Sequence, residues 1–236
     1  MQRAGSSAKA DETQQAVGFW GKLVPVGPVY ADRYMTAIIA KTAFQELDRP
    51  MVRYSPDHKD KTRSLIVEKT AVRIRTSGLE GVGVASIMAE AGLTHGGFYA
   101  HFKSRDALLA AAVAYLFEVG VSLIDRFEDR HGAGALDRYL DFYLSPRHRD
   151  DLTGGCPVPV LSAEVQRAAP EVHAAFGAGL TRLADRLGKL LPTGGRKAAL
   201  ALLGEMAGVL NLSRAVADAK ISDDLLAEKR KAIAAA

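Results

Sequence analysis

The stretch AEAGLTHGGFYAHFKSRDALL, residues 89–109, decides how the chain is read. Gly92 falls where a tight turn needs a positive φ, Leu93 is the apolar plug of that turn, and Thr94 is placed to cap the next helix. HGGFYAHF, residues 95–102, then makes a helix barely two turns long. Its two glycines each cost on the order of 1 kcal/mol relative to alanine. That cost is tolerable where neighbours hold the helix and glycine lets the backbone approach a partner closely, as in the major groove of a duplex. Phe98 and Phe102, four apart, anchor the helix to a core and leave Tyr99 and His101 pointing elsewhere. Ser104 caps a long helix that opens DALLAAAVAYLFEVG.

Upstream, the spacing predicts a first helix over 57–76, with Leu65, Ile66, Lys69, Val72 and Arg73 on its inner stripe and Ala71 and Ile74 widening it. Ser77-Gly78 closes that helix and Leu79 packs back. After the LEGVG turn a second helix is predicted over 84–91, capped by Gly83, with Ile87 and Met88 inward.

The run from Thr62 to Leu109 resembles the N-terminal DNA-binding domain of TetR-family transcriptional regulators. The likeness rests on the first helix ending at a glycine, on AGLTHGGFYAHF, and on the KSRDALL opening of the fourth helix. The family's usual threonine or serine pair ahead of the second helix is replaced here by Val82 and Gly83, which implies a different cap or phosphate contact there. The resemblance implies an all-α, TetR-like fold. A three-helix head, residues 51–106, is joined by a long fourth helix to a helical effector-binding and dimerisation domain, residues 107–236. By position, Thr94, His95, Gly96 and Gly97 begin the recognition helix, Tyr99 is the phosphate-contacting tyrosine, and Lys103 and Arg105 hold the DNA backbone from the start of the fourth helix. Arginine, a tyrosine hydroxyl and a helix N-terminus all donate to phosphate. Arg53, Lys59, Lys61 and Arg63, around the start of the first helix, are candidates for flanking phosphates or the minor groove.

Downstream, helices are predicted over 107–130, 135–144 and 157–168, from Pro170 to a point short of Pro192, and over 199–218, with a charged loop at 147–151 and Ser222 as a cap for the last segment. The resemblance implies an effector pocket among the middle helices. Tyr115, Phe117, Phe127, Tyr139, Phe142, Tyr143, Cys156, Val160, His173 and Phe176 are candidates to line it. Cys156 stands near a helix start that would lower its pKa, which opens electrophile or oxidant sensing; a small buried hydrophobe is the competing reading. The segment 199–218 is too apolar for one covered face, so it is either central or packed on its copy. Gly204, Ala207, Gly208, Leu212 and Leu225 are the candidate dimer contacts, and the last two helices build a dimer interface in the family. One short recognition helix reads few base pairs, which also favours a two-fold pair on a palindrome.

Composition bounds the alternatives. The 236 residues carry a formal charge of +4, 48% hydrophobic and 7% aromatic residues, 22 glycines and one cysteine. Residues 53–106 hold 9 basic and 6 acidic side chains, whereas 107–236 balance at 16 and 16, so most of the excess sits on the head. One cysteine excludes a disulfide framework, and six scattered histidines offer no metal site. No HExxH, GxSxG or GxGxxG pattern is present, which speaks against an enzyme and against a cofactor. No run of 18 apolar residues and no signal-peptide pattern stands out, so the cytoplasm is expected. Residues 1–50 follow neither helical nor strand periodicity, apart from a short helix predicted over 35–47, and the basic arm begins at Met51. They are read as an extension upstream of a natural start at Met51. The functional expectation is a ligand-responsive, sequence-specific DNA-binding regulator, most simply a repressor released from a palindromic operator by a small molecule. A helical interaction or ligand-binding module without specific DNA binding is the alternative.

Overall fold

The computed structural model describes residues 56–235. The expectations for residues 1–50, and for Arg53, lie outside the described residues. All the described residues fall in one unit, Tyr54–Ala236, and no strand occurs among them.

The head opens with α1, Pro56–Ser77, and α2, Val84–Glu90. The inner stripe of α1 is Ile66, Val67, Thr70, Ala71, Ile74 and Arg75. Leu65 and Val72, expected inside, are 39% and 50% exposed. The stripe therefore follows a one-then-three spacing, about one position away from the one predicted. Gly78, at φ +70°, closes α1, and Leu79 packs back as expected. Arg73 and Glu90 form an ion pair that ties α1 to α2.

The segment His95–Ala100 is a 3₁₀ helix, not the α-helix expected there. Its Thr94 cap residue makes no side-chain capping bond, and the Gly97 N–H donates to the Thr94 carbonyl at 3.0 Å. With two glycines and no capping bond, the short turn tightens onto i→i+3 bonding and is held by packing. Phe98 and Phe102 are buried and stack with ring centroids 5.8 Å apart. Gly92 has φ +71°, the conformation the turn requires.

The long helix, α3, spans Arg105–His131 and is capped by Ser104, whose Oγ accepts the Ala107 N–H at 2.9 Å. Its first turns bury Leu108 and Leu109, and later turns bury Leu116, Phe117 and Ile124. The stretch Arg105–Tyr143 contains a window of mean hydropathy 2.1, long and apolar enough by composition to cross a membrane. This corrects the expectation that no stretch is apolar enough; the alanines lift the average, and these residues pack into the core.

The body continues with α4, Ala135–Tyr143, and α5, Pro146–Asp150, the latter where a loop was expected. Ser145 caps α5 by accepting the His148 N–H at 3.2 Å, and Pro146 fits its first turn. The helix predicted over 157–168 stops early: α6 is Pro157–Leu161, followed by a turn and a short 3₁₀ segment, Val165–Arg167. Both of its prolines occupy the first turn, and the Glu164 N–H bonds back to Leu161 at 3.1 Å, tightening the chain out of α geometry.

Three long helices complete the body: α7, Pro170–Gly188; α8, Gly195–Ala215; and α9, Ala219–Ala234. The cap of α9 is Asp218, which accepts the Ile221 N–H at 3.0 Å; Ser222, the expected cap, is buried and donates to the Ser213 carbonyl at 2.6 Å. The α3–α7 pair is the most extensive helix contact. At its crossing, a Cβ on Gly179 would overlap the Phe117 ring, so the glycine is what lets the two helices approach.

Candidate nucleic-acid interface

The outer face of the head is built by burying one side of a short turn. Phe98 takes the inner side, and Tyr99 next to it is 71% exposed, its ring held edge-on to Phe98 at 5.3 Å. Thr94, His95, Gly96 and Lys103 share that exposure, with Gly97 partly covered. Among the described residues, nothing lies within 4 Å of a Cβ built on Gly96, so their packing does not account for glycine there. At the start of α2, Gly83 makes no side-chain cap, and Ser86 Oγ donates to the Gly83 carbonyl at 2.9 Å. This exposed hydroxyl, missed by the sequence reading, sits where the threonine or serine pair was absent.

Two expected DNA contacts are engaged inside the protein. Arg105 donates from Nε to the Val82 carbonyl at 2.9 Å and from Nη2 to the Leu79 carbonyl at 2.6 Å. It laces the 79–82 turn to α3, a role beside the expected phosphate contact, with the Nε and Nη2 arms of its planar fork satisfied by carbonyls. Arg63 lies with its guanidinium carbon 4.8 Å from the Phe102 ring centre, a cation–π contact on the head's own core. Lys59 and Lys61 are exposed.

The expected effector residues divide into two groups. Phe117 and Phe176 form an edge-on pair at 5.3 Å between α3 and α7. Phe127, Tyr139, Phe142 and Tyr143 form the second group, in which Phe127 is 5.7 Å from both Tyr139 and Phe142. Tyr115, Cys156 and Val160 are partly buried. His173 is exposed: the inner face of α7 is Val172, Phe176, Gly179 and Leu183, and His173 falls one position off it.

His148, read only as part of a charged loop, is the centre of the polar interior. It is 1% exposed, stacks on Phe142 at 5.0 Å, and meets Tyr143 edge-on at 4.7 Å. The Cys156 N–H donates to Nε2 at 3.0 Å, so Nδ1 carries the proton and donates to the Tyr143 carbonyl at 2.8 Å. Burial lowers its pKa to about 4, outweighing the bond to Tyr143, with Arg214 and Arg75 adding to the fall. A Cβ on Gly155 would sit 2.8 Å from Nε2, which reserves that position for glycine. Arg214 caps the end of α5, donating to the Arg149 and His148 carbonyls at 2.9 and 3.1 Å. An open cleft beside it, about 440 Å³, is lined by residues the sequence reading did not single out, including Arg149, Leu152, Ser213 and Val216.

Burial pushes the Cys156 thiol above its usual value, which corrects the expectation of a lowered one; α6 is only five residues long, and desolvation outweighs the nearby cations. Among the described residues, no group of three or more His, Cys, Asp or Glu side chains is placed to hold a metal.

Polar contacts join head and body. Arg75 Nη1 donates to the Thr153 carbonyl at 2.6 Å, the Leu79 N–H donates to Glu164 Oε2 at 2.5 Å, and Ser104 Oγ donates to Glu171 Oε1 at 3.4 Å. A Cβ on Gly78 would overlap the Glu164 carboxylate. The sequence signal for Arg75 was its place in the one-then-three stripe of α1; nothing local marks Glu164.

The expected dimer residues lie on two sides of α8. Gly204, Gly208 and Leu212 are exposed, Leu212 by 56%. Ala207 is 6% exposed beside Leu203, Met206 and Leu210 and belongs to the subunit's own core, which corrects its reading as a dimer contact. Leu225 is partly buried, and Ile221 on α9 is 52% exposed.

Residues 66–112 match the family model for bacterial regulatory proteins of the tetR family. Solved structures share the fold over most of the chain. A TetR transcriptional regulator from Chloroflexus aurantiacus is 26% identical with a TM-score of 0.57, covering 75% of this chain and 96% of its own. A TetR-family regulator from Cytophaga hutchinsonii is 21% identical with a TM-score of 0.62, covering 81% and 98%. The reduced form of NemR from E. coli is 17% identical with a TM-score of 0.60, covering 72% and 97%. No curated protein sequence matches the chain.

Proposed function

We infer that this chain, whose residues 66–112 match the family model for bacterial regulatory proteins of the tetR family, is a ligand-responsive DNA-binding transcriptional regulator of that kind and not an enzyme. The observation that carries the reading is the head's outer face. Tyr99 stands 71% exposed beside the buried Phe98 anchor, on the same short turn as a Gly96 that no neighbour among the described residues requires. Such a surface lets a backbone approach a duplex and gives a phenol to a phosphate oxygen.

Finer points follow as proposals. Thr94, His95, Gly96 and Gly97 face base edges, and Tyr99 and Lys103 position the phosphates. The chain acts as a homodimer through the exposed Gly204, Gly208 and Leu212 of α8 with Ile221 and Leu225 of α9, and so reads a palindrome. It is a repressor in the cytoplasm, released when a small molecule fills the body near Tyr139, Tyr143 and Cys156. The release is a population shift between dimers that fit the operator and dimers that do not.

A gel shift with the promoter region beside its own gene, backed by selection from random duplexes, tests the reading. A specific shift that weakens steeply with salt is expected. No specific shift at any sequence would overturn it in favour of a helical ligand-binding module.

A further inference from the structure

Leu79, the second residue past the end of α1, has both backbone groups held by side chains from outside its own turn. Its N–H donates to Glu164 Oε2 at 2.5 Å, and its carbonyl accepts Arg105 Nη2 at 2.6 Å. Arg105 Nε also takes the Val82 carbonyl at 2.9 Å, one residue before the Gly83 cap of α2. Leu79 and Val82 are both buried, so this turn fixes where α2 starts. The Leu93 N–H, donated to the Met88 carbonyl at 2.8 Å, carries that position on to the recognition turn, His95–Ala100.

A helix that ends at a glycine has two common closures. In one, the glycine N–H alone returns to the last turn. In the other, the next residue also bonds back and the glycine N–H moves along by one carbonyl. Here the Gly78 N–H takes the Ile74 carbonyl at 2.9 Å, which is the first form. The Leu79 N–H, which the second form would return to Ile74, goes to Glu164 instead. The carboxylate fits there because Gly78 has no Cβ to displace it. Leu161 and Val165, buried on either side, root Glu164 in the body. Asn211 Nδ2 of α8 donates to the Pro159 carbonyl of α6, just ahead of them, at 3.1 Å. A carboxylate at a helix C-terminus is opposed by the helix dipole, so this closure is held against a local electrostatic cost.

We propose that Glu164 is a positioning residue for DNA reading: by capturing the Leu79 N–H it selects the closure of α1 that aims α2 and the recognition turn at the duplex. The proposal rests on the DNA-binding reading above and names the body residue that acts on the head. With Glu164 withdrawn, the Leu79 N–H returns to the Ile74 carbonyl and the Gly78 N–H moves to that of Arg75, which re-aims the turn.

Three full-length variants test it. Glu164→Gln keeps an acceptor at the same reach and loses the charge, Glu164→Asp keeps the charge one methylene short, and Glu164→Ala loses both. Affinities for a selected operator and a random duplex are measured by fluorescence anisotropy, and the Gly78 and Leu79 amides are followed by NMR. Glu164→Ala and Glu164→Asp lower the operator-to-random ratio at least tenfold and displace both amide resonances together. Glu164→Gln stays within twofold of the parent and keeps them in place. An unchanged ratio in Glu164→Ala, a fall in the ratio with both resonances in place, or rescue by Glu164→Asp and not by Glu164→Gln overturns the proposal. If Glu164→Ala does not fold, the other two variants decide. Any of these outcomes in a parent that prefers its operator leaves the regulator standing. A parent that binds every duplex alike sinks the regulator reading, and the proposal with it.

Discussion

His148 holds Cys156 from behind: its Nε2 accepts the Cys156 backbone N–H at 3.0 Å while its own N–H is spent on Tyr143. The arrangement works only for the neutral ring, and the folded pKa of about 4 lies below the ordinary 6.5. Between those values the unfolded chain takes up a proton that the folded chain refuses. Stability is therefore full above pH 6.5 and falls as the pH drops towards 4, by on the order of 3 kcal/mol in all. Urea midpoints at pH 7 and pH 5 should differ accordingly, and His148→Gln should flatten that slope while lowering stability at pH 7. An unchanged slope in the variant would show that His148 is not the group that titrates.

Arg105 and Lys103 are two residues apart and should behave differently. Arg105→Ala removes the bonds to the Leu79 and Val82 carbonyls, a loss of about 1.5–3 kcal/mol in stability and, through the displaced turn, of DNA binding. Lys103→Ala should leave the melt within about 0.5 kcal/mol and lower the salt slope of binding by about one. Thermal melts and salt titrations of the gel shift separate the two. Equal melts would refute the internal role of Arg105.

Tyr99→Phe tests the phosphate contact alone. The side chain is 71% exposed, so the fold should not notice the lost hydroxyl. Affinity for operator and random duplex should fall by similar factors, about fivefold for a bond of ~1 kcal/mol. A loss confined to the operator would instead place Tyr99 among the base contacts.

Gly179→Ala and Gly177→Ala form a paired test of the α3–α7 crossing. The first drives a methyl group into the Phe117 ring and should cost about 1–3 kcal/mol. The second meets nothing within 4 Å among the described residues and should stabilise α7 by up to about 1 kcal/mol. Denaturant unfolding of both variants decides it; a Gly179→Ala protein as stable as the parent would mean that the helices part at no cost.

Much of the head was legible because its signals are local. Gly92 with Leu93, the Phe98–Phe102 spacing and the Ser104 cap are each set by neighbours within a few residues. The 3₁₀ form of His95–Ala100 was not, since it depends on how little the glycines and Thr94 hold against tertiary packing. Arg75, Glu164 and His148 escaped for another reason. Their partners lie 78, 85 and, for the Cys156 bond, 8 residues away, and pattern along the chain carries no record of such pairings. Ala207 and His173 show the limit of one-residue precision: each sits beside the face assigned to it, and a single step of about 100° changes what it touches.

The long helix α3 has both ends fixed, with Leu108 and Leu109 in the head's core and Phe117 and Ile124 in the body's. It therefore acts as a keyed shaft. One inserted residue would turn the reading face by about 100° against the body and advance it by about 1.5 Å. The angle between the reading face and the body is thus keyed to the phase of one helix, and an insertion along it preserves that angle only near whole turns.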